Sequence, residues 1–356
     1  MTTFQDLPIR ADLRNEKPYG APQLDVPVQL NVNENTHGIP EQVALEIIQE
    51  LATEVVKLNR YPDRDFLGLR GMLANYLGHD LSAEQLWAAN GSNEVLMQLF
   101  QAFGGPGVTA LSFVPTYSMY PNIARISLTQ YLEIPREEDF ELSASYVGAA
   151  ISKHNPGIVL LCSPNNPTGT PISLDVVLAA YEAFDGILII DEAYAEFSGA
   201  ESALSLLAGR PRLVVSRTMS KAFAFAGARV GYMAADAAVV DAMRVVRLPY
   251  HLSALTQGAA RAALRHSNLM LRNVDQIVIQ RDRIVARAGG LGLRAYRTDS
   301  NFVLLEGFED PNQIFEALLA RGIIVRNVGI PNTLRVTAGT EQETSKLLGE
   351  LALLLD

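Results

Sequence analysis

Short, wholly apolar runs alternate with helical patterns along much of the chain. Residues 108–113, 158–162, 187–190, 213–215 and 230–234 have strand length and carry few polar side chains. Strands buried on both faces read this way, so the alternation predicts an α/β fold with a mostly parallel central sheet and helices on both faces. Val43, Leu45, Ile47, Ile48, Leu51, Val55 and Leu58 follow largely helical spacing, and 64–77 and 93–103 read the same way. Residues 1–40 are rich in Pro, Asn and Gly without a sustained period, which predicts an extended arm. After Pro249 a long helix is predicted over 253–288. Strands at 302–305, 323–325 and 334–337 and helices at 311–320 and 341–354 follow. The pattern thus divides into an arm over 1–40 associated with the small domain, a large domain over 41–250, and a smaller α+β domain over 251–356 that begins with an interdomain helix.

Composition narrows the class. With 356 residues, 48% of them apolar, the chain is long enough to bury a large core. A net charge of -10 with no cluster of Lys and Arg argues against nucleic acid or an anionic membrane as partner. No run approaches the roughly 20 apolar residues that span a bilayer, and the first residues lack a basic start followed by an apolar stretch. A cytoplasmic protein is expected. The single cysteine, Cys162, has no intrachain partner, and five scattered histidines show no ligand spacing, so no metal is expected.

Four segments carry candidate chemistry. Ser216-Arg217-Thr218-Met219-Ser220-Lys221 follows an apolar strand, with Arg229 a few residues on. A lysine amine forms a Schiff base with an aldehyde, and hydroxyls beside an arginine suit a phosphate. Asp191, in Ile189-Ile190-Asp191-Glu192-Ala193-Tyr194, ends another strand. A carboxylate there can keep a pyridine nitrogen protonated, and Tyr194 can bond a phenolic oxygen. Ser163-Pro164-Asn165-Asn166-Pro167-Thr168-Gly169 makes a rigid turn that aims an amide at a ligand. Ala89-Asn90-Gly91-Ser92-Asn93-Glu94 precedes a helix whose free N–H groups suit a phosphate. Taken singly, each is equally a cap, a turn or a solvated lysine. Gly105-Pro106-Gly107 loosely matches a dinucleotide fingerprint, but it follows a helix and leads into a strand, the reverse of what that fingerprint needs.

Together and in this order the segments resemble fold-type I aminotransferases dependent on pyridoxal 5'-phosphate (PLP), and within them the histidinol-phosphate aminotransferase family. Leu30-Asn31-Val32-Asn33-Glu34-Asn35, Arg60-Tyr61-Pro62-Asp63, Asn165–Gly169, Asp191–Tyr194, Ser220–Tyr232 and Leu334-Arg335-Val336-Thr337 carry the likeness over nearly the whole chain. Thr36 stands where the family usually has proline. The resemblance implies a homodimeric enzyme that transfers an amino group between histidinol phosphate and 2-oxoglutarate. An aromatic amino-acid aminotransferase carries nearly the same motifs and remains the alternative. By matching motifs, Lys221 would hold the cofactor and shuttle the substrate proton, Asp191 would pair with the ring nitrogen, and Asn166 and Tyr194 would hold the phenolic oxygen. Tyr117 would stack on the ring. Ser92, Asn93, Thr218, Ser220 and Arg229 would hold the phosphate, with Tyr61 reaching in from the second subunit. Substrate would be held by Arg335 and Arg326, with Tyr19 and Asn35 as further contacts.

Overall fold

The protein is described by a computed structural model covering residues 2–14, 16–18, 20 and 22–355. Among these the strands are β1 (Val28–Gln29), β2 (Leu86–Asn90), β3 (Thr109–Val114), β4 (Gln130–Pro135), β5 (Ile158–Cys162), β6 (Ile187–Asp191), β7 (Leu213–Thr218), β8 (Val230–Ala235), β9 (Arg294–Ala295), β10 (Phe302–Glu306), β11 (Ile323–Ile324) and β12 (Thr333–Thr337). Seven form one sheet in the order β2-β8-β7-β6-β5-β3-β4, in which only β8 runs antiparallel to its neighbours. Every residue of β5 and β6 is buried, the reason β5 is apolar throughout and β6 is apolar up to Asp191, which ends it.

Apolar runs predict five of these seven strands. The other two lie at the sheet's edges: β4 is a half-polar QYLEIP, and β2 is LWAAN, with two alanines and an asparagine in place of branched apolar residues. β7 continues past its apolar run because Ser216, Arg217 and Thr218 still pair with Met233, Tyr232 and Gly231 of β8. This antiparallel return places Lys221 and Arg229 in one connection at the same edge of the sheet.

The continuous helix predicted over 253–288 is instead broken. Helix Ala254–Arg265 ends at His266, whose backbone (φ -118°, ψ 29°) leaves the helical region; a short turn of helix and a 3-10 turn follow, then helix Val274–Ala288. The two halves serve different cores. Ala259, Ala260, Ala263 and Leu264 pack into the core around the seven-stranded sheet, whereas Val274, Ile277 and Ile284 pack with Phe302, Val303 and Leu334 around the three-stranded sheet β12-β10-β9. One straight rod cannot present both stripes, and the core that the helical segments serve changes between Met270 and Val274.

The arm is stitched to the smaller core. β1 pairs parallel with β11, the Leu30 amide donates to Ile324, and the Thr337 amide donates to Leu30. Among the described residues no helix is long and apolar enough to cross a membrane.

Candidate active site

Strands β2, β3, β5, β6 and β7 point the same way, and the segments that leave their carboxyl ends meet around one cavity of about 1160 Å³. This is the edge at which open α/β sheets bind ligands. The arm (Asn31 to Glu34) and the smaller core (Arg326 and Arg335) close the opposite wall.

Asp191 ends β6 and is buried. Tyr120, itself fully buried, donates to its Oδ2 at 2.8 Å. Oδ1 is buried with no hydrogen-bond partner among the described residues. Burial pushes the carboxyl up to about 6, against the lowering effect of the Tyr120 bond. The neighbouring Glu192 faces elsewhere: Arg217 (2.7 Å), Ser202 (2.7 Å) and the Ala203 amide (2.8 Å) bind it. The raised carboxyl has a measurable consequence. Folded chain holds this proton more tightly than unfolded chain, so without cofactor the stability contributed below about pH 4 is lost as pH rises through about 6. Two units correspond to about 3 kcal/mol. Asp191→Asn should remove that slope in denaturant titrations across the range; an unchanged slope would contradict the raised carboxyl.

Lys221 Nζ donates to the Val32 carbonyl at 2.9 Å. Burial, and then the charge of Arg335, brings its amine down to about 8, so the neutral, nucleophilic fraction near neutral pH is far larger than for an ordinary lysine. Beyond it, Arg335 Nη1 donates to Asn166 Oδ1 (2.6 Å) and Nη2 to the Asn31 carbonyl (2.7 Å), with the guanidinium over the Phe302 ring at 5.1 Å. Asn166 Nδ2 approaches the Tyr194 hydroxyl at 3.4 Å. Arg326 lies opposite Arg335 in an antiparallel bridge, and both line the cavity.

An anion cup occupies the other end. Ser92 and Asn93 open helix Ser92–Phe103, where unpaired N–H groups attract negative charge. Gly231 is required here: a Cβ on it would lie 2.1 Å from the Ser92 nitrogen. A Cβ on Gly91 (φ 83°) would lie 2.4 Å from the Arg229 guanidinium. Thr218 and Ser220 place their hydroxyls 2.9 Å apart beside it. Tyr117 donates to Asn93 Oδ1 at 3.2 Å and meets Tyr120 edge-on with ring centroids 5.4 Å apart.

Of the predicted residues, Ser92, Asn93, Tyr117, Asn166, Asp191, Tyr194, Thr218, Ser220, Lys221, Arg229, Arg326 and Arg335 line this cavity. Asn35 does not. Its amide donates to the Ala222 carbonyl (3.1 Å) and its Oδ1 accepts from the His37 amide (3.0 Å). Asn31 and Asn33 line the cavity instead, because Asn33 has a left-handed backbone (φ 56°) that breaks the alternation of an extended arm. Tyr19 lies outside the described residues. Tyr61 is 79% exposed and stacks on Tyr250 at 4.4 Å, away from this cavity. Tyr120 is the functional residue the sequence reading missed. Its signal was a second tyrosine three residues after Tyr117, at the start of helix Met119–Ile126. Thr36 donates to the Glu343 carboxylate, a bond the family's proline cannot make.

These residues fit PLP on their own chemistry: a buried carboxylate oxygen lacking a partner suits a protonated ring nitrogen, a helix N-terminus with two hydroxyls and an arginine suits a phosphate, and a lysine of lowered basicity lines the same cavity.

Residues 26–351 match the family of class I and II aminotransferases. The histidinol-phosphate aminotransferase of Paenarthrobacter aurescens (strain TC1) is 57% identical over 98% of this chain and 95% of its own length. That of Frankia casuarinae is 52% identical over 97% and 89%. The crystal structure of histidinol-phosphate aminotransferase from Sinorhizobium meliloti in complex with pyridoxal-5'-phosphate has a TM-score of 0.83 at 24% identity, covering 93% of this chain and 91% of that one, a likeness of fold.

Proposed function

Since the chain belongs to the class I and II aminotransferases and, within them, to the histidinol-phosphate aminotransferases, we propose that its cavity exchanges an amino group between L-histidinol phosphate and 2-oxoglutarate, giving imidazole acetol phosphate and glutamate, in histidine biosynthesis. One observation carries the reading at the level of the site. Arg335 and Arg326 face each other across a backbone bridge and line the cavity that holds Lys221, apart from the cup that contains Arg229. Histidinol phosphate presents a phosphate where glutamate presents its α-carboxylate, and a planar guanidinium pairs with either.

PLP, when bound, supplies an electron-accepting ring conjugated to the substrate's Cα. Ser92, Asn93, Thr218, Ser220 and Arg229 would hold its phosphate, and Tyr117 would pack against its ring. Asp191 would keep a proton on the ring nitrogen. Tyr194 and Asn166 would donate to the phenolic oxygen. Lys221, its basicity lowered, takes the proton from the Cα of the amino donor in one half-reaction and delivers one to the Cα of the acceptor in the other. Arg335 anchors the substrate by its anion.

A homodimer in the cytoplasm completes the reading. Helix Glu41–Val55 exposes Leu45, Ile48 and Val55, and Val56, Leu58, Tyr61, Leu67, Val245 and Leu248 are exposed beside or beyond it. Arg247 ties the two parts together, donating to Asp65 Oδ1 at 2.8 Å and to the Arg64 carbonyl. Apolar surface of this extent supports a second copy as its cover, with Tyr61 entering that copy's cavity.

Side-by-side kinetics test the substrate. Histidinol phosphate should be converted with a kcat/KM about 100-fold or more above that of phenylalanine, which offers a singly charged carboxylate in place of the phosphate and a phenyl ring in place of the imidazole. The reverse order would make the chain an aromatic amino-acid aminotransferase.

A further inference from the structure

Asn33 is 2% exposed, and its backbone and side chain bond to three separate elements. Its carbonyl accepts from Asn301 Nδ2 at 3.1 Å, next to β10. Its backbone N–H donates to Thr337 Oγ1 at 3.1 Å. A backbone N–H can only donate, so the threonine oxygen accepts there, and its own proton, with no other acceptor among the described residues, goes to Asn33 Oδ1 at 3.1 Å. This contact fixes which end of the amide is oxygen. The nitrogen Nδ2 therefore faces Tyr194 and donates to its hydroxyl oxygen at 2.9 Å. Asn166 Nδ2 approaches the same oxygen from 3.4 Å. With donors on its oxygen and no protein acceptor for its proton among the described residues, Tyr194 directs that proton into the cavity it lines.

We propose that Asn33 is a positioning residue that sets the direction of the Tyr194 proton, so that the tyrosine meets the cofactor's phenolic oxygen as a donor. The relay starts at Thr337, two residues beyond Arg335 on β12, so the strand that carries the substrate-anion arginine also fixes the polarity of the hydroxyl. A donor bond into the tyrosine oxygen polarises its O–H and strengthens the bond it makes in turn. The inference rests on the cofactor reading. When Tyr194 disperses charge on the phenolic oxygen, the lysine nitrogen joined to the cofactor gives up its proton at lower pH.

Two substitutions separate this role from a backbone one. Asn33→Gly keeps the left-handed conformation and removes the amide. Asn33→Asp keeps shape and tolerance of positive φ but turns the donor into an acceptor that takes the Tyr194 proton for itself. Both are read in the holoenzyme by the pH midpoint of the bound cofactor's visible absorbance and by the dissociation constant for PLP. Asn33→Asp should raise the midpoint by about one unit and weaken PLP binding about tenfold, and Asn33→Gly should move both in the same direction by less. On a Tyr194→Phe background the effect of Asn33→Gly should vanish, and that of Asn33→Asp should shrink to what its added charge alone contributes. Wild-type values for Asn33→Asp, a larger shift for Gly than for Asp, or an Asn33→Gly shift that survives Tyr194→Phe would each overturn the proposal. Should the Asp chain not fold, Asn33→Gly with and without Tyr194→Phe decides it. A wild-type protein with no visible band on adding PLP would instead overturn the cofactor reading.

Discussion

Lys221→Ala should fold, yet lose the lysine-linked visible absorbance and nearly all turnover, a fall on the order of 10³- to 10⁶-fold. Lys221 is the only lysine lining the described cavity, so no neighbouring amine can replace it. Its environment also sets the control. Burial and the charge of Arg335 both disfavour its cationic form, so the cofactor-free variant should melt no lower than the parent at pH 7. A variant that unfolds would place the lysine's importance in structure, and one that turns over normally would remove the central assignment. The same variant tests the shared site. Mixed with Tyr61→Ala, it forms heterodimers in which one of two sites has both an intact lysine and an intact tyrosine. Random pairing then restores roughly a quarter of wild-type activity from two inactive proteins. No recovery would mean that Tyr61 serves no partner cavity.

Arg335→Ala should lower kcat/KM in both half-reactions by about 30- to 5000-fold, the equivalent of about 2 to 5 kcal/mol for leaving a desolvated anion unpaired. Arg335 is 7% exposed and its guanidinium is already oriented by Asn166 and the Asn31 carbonyl, so little reorganisation precedes substrate binding. Rates with histidinol phosphate and with glutamate, measured separately, decide the matter. Loss in only one half-reaction would mean that two anions use different arginines, with Arg326 the natural second. Arg335→Lys should recover little, because an ammonium cannot reproduce the two-pronged contact.

How much of this was legible depended on whether a residue's role was local. The lysine, the acid and the phosphate cup follow directly from strand ends, and strand ends are visible as apolar runs that stop. Tyr120 was not legible because its partner, Asp191, lies 71 residues away and meets it only once β3 and β6 enter one sheet. Asn35 follows from the resemblance of its motif, which says nothing of the left-handed backbone at Asn33 that turns the chain before residue 35. The break at His266 lay hidden because both halves of the predicted helix keep helical spacing; which core each half serves is a property of the assembled chain.

The stitching of the arm also dictates an order of events during synthesis. Val28 pairs with Ile323, Asn33 with Thr337 and Thr36 with Glu343, so each contact waits for chain made about 300 residues later. Residues that build the seven-stranded sheet leave the ribosome well before then and can form their core with the arm still unbonded. The wall of the cavity that carries Val32, Asn33 and Arg335 closes only when the last strands arrive, and loop closure over such a separation is slow compared with local folding. A nascent chain therefore has an acid, a lysine and a phosphate cup before it has the means to orient a substrate, and the capacity for selective chemistry arrives with the C-terminus.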